Sequence, residues 1–153
     1  MEIASITGCF LVILTTYIML NKVLSKVNGK IICSYVYKNQ IADYRTDLSE
    51  EHELMQGSAR ILKKDIYVKP HKHLAVKREI YGTQESWVVV EGKVLATLYD
   101  LDDTKLREIE LNAGSCMIFY RGGHSLKVMD DNTIFYEFKN GPYLGYENDK
   151  SNI

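Results

Sequence analysis

The stretch ESWVVVEGKVLATLYD, residues 85–100, decides the fold class of this chain. Both halves are rich in β-branched and aromatic residues, and Glu91-Gly92 between them is a turn signal, so the stretch predicts two adjacent strands. Glu85 is in phase with Trp87 and Val89 along the first strand. If Trp87 points into the core, Glu85 points there too, because alternate residues of a strand share one face.

The same pattern of strand, turn and strand continues on both sides of this stretch. Further strand-like runs are VLSKV, KIICSYVYK, RILKKDIYVKP, KLREIEL, SCMIFY, HSLKVM and TIFYEFKN, and Asn28-Gly29 between the first two is a hairpin signal. Residues 47–56 (DLSEEHELMQ) are the one helical candidate, with Gly57 as the stop. So many short strands with so little helix predict an antiparallel β-sandwich or barrel in one domain.

Composition limits the classes of protein that this chain can belong to. Its 153 residues are 46% hydrophobic and 25% charged, which is typical of one globular domain. Nineteen basic residues balance 20 acidic ones, so we predict no nucleic-acid partner. The three cysteines lack metal-ligand spacing, so we predict reduced thiols and a cytoplasmic location.

Residues 3–20 contain no charged side chain, and Lys22, Lys26 and Lys30 follow them. This length is close to the minimum for a transmembrane helix, and the lysines would keep the remainder of the chain in the cytoplasm. A hydrophobic extension, an upstream start codon with Met19 as the true start, and a buried core helix are the alternatives. We therefore divide the chain into an apolar extension, residues 1–18, and a β domain, residues 19–153, with membrane association through residues 3–20 left open.

Three histidines and one glutamate are candidates for a shared site. His71 and His73 are two residues apart, so an extended strand would project both imidazoles from one face. Glu85 and His124 each open a strand, and His124 is in phase with Leu126 and Val128, so we expect these three residues to point inward like Glu85. A buried carboxylate requires a partner or a metal ion. The set His71, His73, Glu85 and His124 suits iron, manganese, nickel or zinc, with positions left for water or substrate.

At these residues the sequence resembles the cupin superfamily. The first cupin motif is matched by His71-Lys72-His73 and by Glu85 with Gly92 six residues further on, and the second by Gly114, Gly122 and His124 in order. The sequence departs from the motifs in having Asp65 for glycine, eleven residues between His73 and Glu85, Tyr120 for proline, one residue fewer before His124, and Val128 for asparagine. Glu79 is the rival of Glu85 as carboxylate ligand, but no glycine follows it at the motif distance.

The segments GTQE, GGH and GPYLGYENDK resemble more specifically a subgroup of small bacterial cupins associated with surface-polysaccharide biosynthesis. The resemblance covers about residues 55–140. It implies a cupin-type barrel (a double-stranded β-helix or jelly roll), a divalent transition metal, a sugar or sugar nucleotide as the bound molecule, and a homodimer.

Three functions remain open at this point. The first is a metal-binding cupin that binds, isomerises or epimerises a sugar or sugar nucleotide. The second is a metal-free sugar-nucleotide 3,4-ketoisomerase in which His71, His73 and Glu85 are the catalytic residues, with the two histidines transferring protons. The third is a non-catalytic sugar-binding or regulatory cupin. In each case the expected substrate-binding residues are Arg78, Gln84, Tyr120 and Tyr136, which flank the predicted site or lie on strands beside it.

Overall fold

A computed structural model describes residues 20–42 and 44–153 of the chain. The predictions for residues 1–18 and for Cys9 fall outside the described residues. Within the described part, no helix has both the length and the apolar character needed to cross a membrane.

Two antiparallel sheets form the body of the domain. The larger sheet has the strand order β1–β2–β8–β5–β10, made by Asn21–Leu24, Ile31–Val36, Cys116–Phe119, Glu85–Glu91 and Ile134–Lys139 respectively. The smaller sheet has the order β7–β6–β9, made by Lys105–Asn112, Lys93–Tyr99 and Gly123–Val128. A pair of two-residue strands, β3 (Thr46–Asp47) and β4 (Ser58–Ala59), a 3-10 turn (Lys38–Gln40) and a short helix α1 (Tyr146–Asp149) complete the described elements.

The main core lies between the facing surfaces of the two sheets. Trp87, Val89, Met117 and Phe119 of the larger sheet form one buried cluster with Val94, Ala96, Leu98, Ile109 and Leu111 of the smaller sheet. These residues alternate with more exposed ones along β6, as expected for a strand with one face on the core. The prediction of an all-β, antiparallel domain is confirmed.

Cys33 and Cys116 are free thiols, as predicted. Burial raises the pKa of Cys33 to about 12, although a backbone hydrogen bond and the charge of Arg107 act in the opposite direction. Burial also raises the pKa of Cys116. Both thiols are therefore protonated at neutral pH and chemically quiet in the folded protein.

The strands predicted from residues 85 onward are present, and so is the pairing of β1 with β2. The connection between β1 and β2 is longer than the two residues of a tight hairpin. The ladder ends at Leu24 and Ile31, and the Gly29 amide donates to the Ser25 carbonyl at 3.0 Å. Asn28-Gly29 is thus part of a six-residue loop.

The helix predicted for residues 47–56 is wrong. The segment instead forms β3 and a series of turns in which the Glu53 amide donates to the Glu50 carbonyl. The Gln56 side-chain amide donates to the carbonyls of Glu50 and Glu53, and the Glu53 carboxylate is buried among residues from other elements. These hydrogen bonds within the segment, together with the burial of Glu53, outweigh the local helical pattern, because helix propensity is a weak preference.

The strand predicted for RILKKDIYVKP is also wrong, and His71-Lys72-His73 are not in a strand either. Residues 60–83, which we call the arm, form no ladder with another strand, and each of them is exposed. Large apolar side chains are nevertheless frequent in the arm, at Ile61, Leu62, Ile66, Tyr67, Val68, Leu74, Val76, Ile80 and Tyr81. The arm leaves β10 and β9 as open sheet edges.

Candidate functional site

A carboxylate and an imidazole meet where the two sheets approach each other. Glu85 is the first residue of β5, and His124 is the second residue of β9. Their facing atoms, Glu85 Oε1 and His124 Nε2, are 3.3 Å apart. The Glu85 side chain is 6% exposed and that of His124 is 25% exposed, so the carboxylate lies behind the ring, away from solvent.

Two aromatic side chains hold this pair in position. The Trp87 indole N–H donates to Glu85 Oε1 at 2.6 Å. The Phe119 ring stacks on the His124 ring with 4.1 Å between centroids, and the Trp87 ring meets the same imidazole edge to face at 5.2 Å. The orientation of the imidazole is therefore set by packing as well as by its contact with Glu85.

The charge state of Glu85 follows from these contacts. Burial acts to raise the pKa of this carboxyl, but the hydrogen bond and charge of His124, the hydrogen bond from Trp87 and the charge of Lys150 together outweigh burial. The net effect is a lowered pKa, so Glu85 is ionised at neutral pH. A buried carboxylate beside an imidazole stabilises the protonated ring, which is the arrangement that suits a general base.

A pocket of about 360 Å³ opens in front of this pair. Glu85, His124 and Phe119 form part of its wall, and Asp100, Leu101 and Arg121 form another part. Residues 146–153, which we call the strap, add a third part of the wall through Asp149, Lys150, Ser151 and Ile153. The strap therefore lies against the pocket and does not extend away from the domain.

The structure brings together two of the four predicted metal ligands. His71 and His73 lie in the exposed arm, with their ring centroids 5.5 Å apart and with His71 Nδ1 3.0 Å from the Lys69 carbonyl oxygen. Among residues 20–42 and 44–153, no three histidine, cysteine, aspartate or glutamate side chains are grouped so that they could hold a metal ion. Glu79 also lies in the arm, near Lys77, so of the two rival glutamates Glu85 is the one that meets a histidine.

None of the four expected substrate-binding residues is among those that line the pocket. Arg78 is exposed in the arm, and Tyr136 is 58% exposed on β10. Gln84 is buried, where it binds the Met55 amide and Glu53. Tyr120 is buried as well, with its hydroxyl bonded to Ser34 and to the Leu48 carbonyl. Gln84 and Tyr120 thus hold the loop of residues 47–56 against the sheets.

Sequence reasoning missed a buried ionic group beside the pocket. Arg121 Nη2 pairs with Glu53 Oε1 at 2.6 Å, and the Gln84 amide donates to Glu53 Oε2 at 2.6 Å. Glu53 itself is 6% exposed. Because Arg121 stands three residues before His124 in a strand-to-strand turn, a basic residue in that turn was the available signal. Its partner Glu53 gave no such signal, because in the sequence Glu53 resembles an exposed residue of the predicted helix.

No family model, curated protein or solved structure matches this chain. The site is therefore interpreted from its own geometry.

Proposed function

We propose that this protein binds a sugar or sugar nucleotide in the pocket and isomerises it by acid–base chemistry at Glu85 and His124. The observation that carries the proposal is the contact between a buried, ionised carboxylate and an imidazole at the wall of an open pocket. The pair has the residue types, the burial and the solvent access that proton transfer requires.

The chemistry assigned to the pair is the movement of a proton between adjacent carbon atoms. With Nε2 turned towards Glu85, Nδ1 is the ring nitrogen of His124 available to a substrate. The imidazole takes a proton from the hydroxyl-bearing carbon next to a substrate carbonyl and so forms an enediolate. The hydroxyl proton passes to the former carbonyl oxygen, and the imidazolium returns its proton to the former carbonyl carbon. Glu85 stabilises the imidazolium that exists between these two transfers. The substrate is isomerised with no net change in oxidation state.

The metal expected from the cupin resemblance requires a fuller ligand set than the one assembled here. Glu85 and His124 supply two donors, whereas catalytic zinc sites use three protein ligands. Glu85 Oε1 already accepts a hydrogen bond from Trp87. The residues in this arrangement do not fit a metal ion, so we assign no step of the reaction to one.

The proposal includes closure of the two sheets into a cupin-type barrel by the arm. The open edges of β10 and β9, together with nine large apolar side chains exposed on the arm, support this closure. Paired with those edges, the arm would bring His71 and His73 towards Glu85 and His124. The resemblance of the sequence to small bacterial cupins supports a role in polysaccharide biosynthesis and a homodimeric, cytoplasmic protein.

The test uses the single tryptophan of the chain, Trp87, which contacts both site residues. Nucleotide sugars that carry a keto group are added to the full-length protein, with Trp87 fluorescence as the measure of binding and NMR as the measure of isomerised product. We expect His124→Ala to lower turnover by about 10²- to 10⁴-fold, the usual contribution of a general base. We expect Glu85→Gln to lower turnover as well, because the imidazolium then has no negative charge beside it.

His52→Ala is the matched control, because the His52 side chain is 78% exposed and lies outside the pocket lining. Turnover that is unchanged in both His124→Ala and Glu85→Gln contradicts the proposal. Binding without any product supports the non-catalytic alternative instead. About one equivalent of transition metal, lost in His71→Ala and in His124→Ala, would restore the metal-binding alternative.

A further inference from the structure

The strap is fixed at the pocket by one doubly anchored carboxylate. Asp149 Oδ1 accepts a hydrogen bond from Thr83 Oγ1 at 2.9 Å, and Asp149 Oδ2 pairs with Lys139 Nζ at 2.7 Å. Thr83 lies just before β5, and Lys139 ends β10. The Asp149 side chain is 14% exposed, so this ion pair is better shielded from water than a typical surface pair. The anchor holds the strap to the strand that carries Glu85 and to its neighbour.

A second contact brings the strap close to His124. Gly123 immediately precedes His124, and a Cβ atom built on Gly123 would lie 2.0 Å from Ile153 Cδ1 and 3.3 Å from Tyr99 Cβ. The absence of a side chain at Gly123 is therefore what leaves room for Ile153. Asp149 and Ile153 thus fix the strap at two points, with Lys150 and Ser151 between them on the pocket wall.

The charges around the pocket are mostly neutralised within the protein. Glu85 faces His124, Arg121 pairs with Glu53, and Asp149 pairs with Lys139. Among the residues that the structure describes, three charged groups of the pocket wall have no ion pair, namely Lys150, Asp100 and Asp103, and the Asp100 carboxylate is bound by backbone amides instead. Lys150 is the one cation in this set, and it is exposed at the rim.

From this arrangement we infer that Lys150, positioned by the strap, binds a phosphate or diphosphate group of the molecule whose sugar lies against Glu85 and His124. The inference rests on the proposed function and narrows its substrate class to phosphorylated sugars and nucleotide sugars. The Lys150 charge acts on Glu85 and Asp149 without forming a close ion pair with either, so its three N–H donors are free to bind a phosphate oxygen. Lys150 is a specificity-determining residue in this view, and Asp149 is a positioning residue.

The experiment measures equilibrium binding of uridine diphosphate and of UDP-glucose to the full-length protein by Trp87 fluorescence and calorimetry. We expect Lys150→Gln to weaken the binding of both compounds by about tenfold or more, since one charge-assisted contact is lost. Lys150→Arg should keep most of the affinity. Asp149→Asn should also weaken binding, although it leaves Lys150 in place, because the strap loses its ion pair with Lys139.

Lys105→Gln is the matched control, since it removes one positive charge on β7, outside the pocket lining. The affinity of Lys105→Gln for both compounds should stay within about twofold of that of the original protein, because an exposed charge outside the pocket is screened by solvent and salt. Equal affinity of Lys150→Gln and the original protein for uridine diphosphate overturns the role of Lys150 and leaves the function of Glu85 and His124 intact. Binding of glucose without binding of uridine diphosphate overturns it in the same way. Binding of none of these compounds overturns both the inference and the proposed function.

Discussion

Asp100, the residue directly after β6, has a buried carboxylate that connects the two sheets. Its Oδ2 accepts from the Lys26 amide at 2.6 Å, and its Oδ1 accepts from the Leu101 amide at 2.8 Å. Burial acts to raise the pKa of Asp100, but hydrogen bonds from the Ser25 hydroxyl and from the amides of Leu101, Lys26 and Val27 outweigh it, and the net pKa is lowered. The ionised form therefore stabilises the folded state, and it also fixes the pocket wall to which Asp100 belongs.

The lowered pKa predicts how the stability contributed by Asp100 depends on pH. Because the folded-state pKa lies below the ordinary value of 3.8, this contribution is fully present above about pH 3.8 and is lost as the pH falls through the lowered pKa. We expect Asp100→Asn to lower the urea midpoint clearly at pH 7, and the difference from the original protein to shrink as the pH falls below 3.8. Urea unfolding at several pH values measures this difference.

Asp103→Asn is the control for this prediction, because Asp103 is exposed and its positive φ of 65° suits asparagine equally well. Its urea midpoint should match that of the original protein at pH 7. A difference for Asp100→Asn that stays constant from pH 7 to pH 3 would contradict the assigned role of the ionised carboxylate.

At the scale of elements, the turn from β8 to β9 decides where His124 lies. Gly122 in this turn has a φ of 72°, and a Cβ atom there would approach the Tyr99 carbonyl oxygen to 2.5 Å. Tyr99 is on the neighbouring strand β6, so the obstacle is backbone and cannot rotate away. The turn thus requires glycine both for its left-handed conformation and for its close approach to β6.

Gly122 can be compared with Gly29, a glycine of nearly equal φ, by the loss of stability that an alanine causes at each position. Gly29 has a φ of 73° with nothing within 4 Å of a built Cβ, so Gly29→Ala should cost about 1–2 kcal/mol of stability from backbone strain alone. Gly122→Ala should cost about 1–3 kcal/mol more, because overpacking is added to the strain. Urea unfolding measures both losses. Equal losses of stability in the two variants would contradict this prediction, because they would show that β6 moves to accommodate the added methyl group at no cost.

The ionic group of Glu53, Gln84 and Arg121 acts at the same scale. It joins the loop after β3 to the entry of β5 and to the turn before β9. These two segments carry Glu85 and His124, so the group braces both sides of the site, and its Arg121 is also part of the pocket wall.

At the scale of the whole molecule, the arm is the segment that we propose closes the two sheets. An unpaired strand edge and an exposed apolar segment both favour association, because each leaves hydrogen-bonding groups or apolar surface in water. Within the described residues, the apolar face of β10 at Ile134, Tyr136 and Phe138 is exposed in the same way.

Hydrogen–deuterium exchange of the full-length protein tests closure by the arm. If residues 60–83 pair with β10 and β9, their amides should exchange on the timescale of the core strands, since exchange then requires opening of a ladder. Residues 130–132 are exposed, and within the described part of the chain their amides donate no hydrogen bond, so they are the internal control for unprotected exchange. Rapid exchange throughout the arm would contradict closure, and the site would then consist of Glu85 and His124 without His71 and His73.

The predictions that succeeded rested on local pattern. Alternation of residues along 85–99 predicted that Trp87 and Val89 are buried and that Glu85 is buried with them, and all three are. The same argument predicted that His124, Leu126 and Val128 point inward, but it failed for Val128, which is 53% exposed. β9 is an edge strand of the described sheet, so its far end has fewer neighbours to cover it than a central strand has.

The sequence by itself determined the antiparallel β class, the strands from residue 85 onward and the inward direction of Glu85, because each follows from side chains that alternate along one strand. Tertiary structure decided that Glu85 meets His124, that Glu53 is buried against Arg121, and that the strap places Lys150 at the pocket. The physical reason is distance along the chain. Glu85 and His124 are 39 positions apart and Glu53 and Arg121 are 68 positions apart, and no local periodicity encodes which distant groups will share one low-dielectric site.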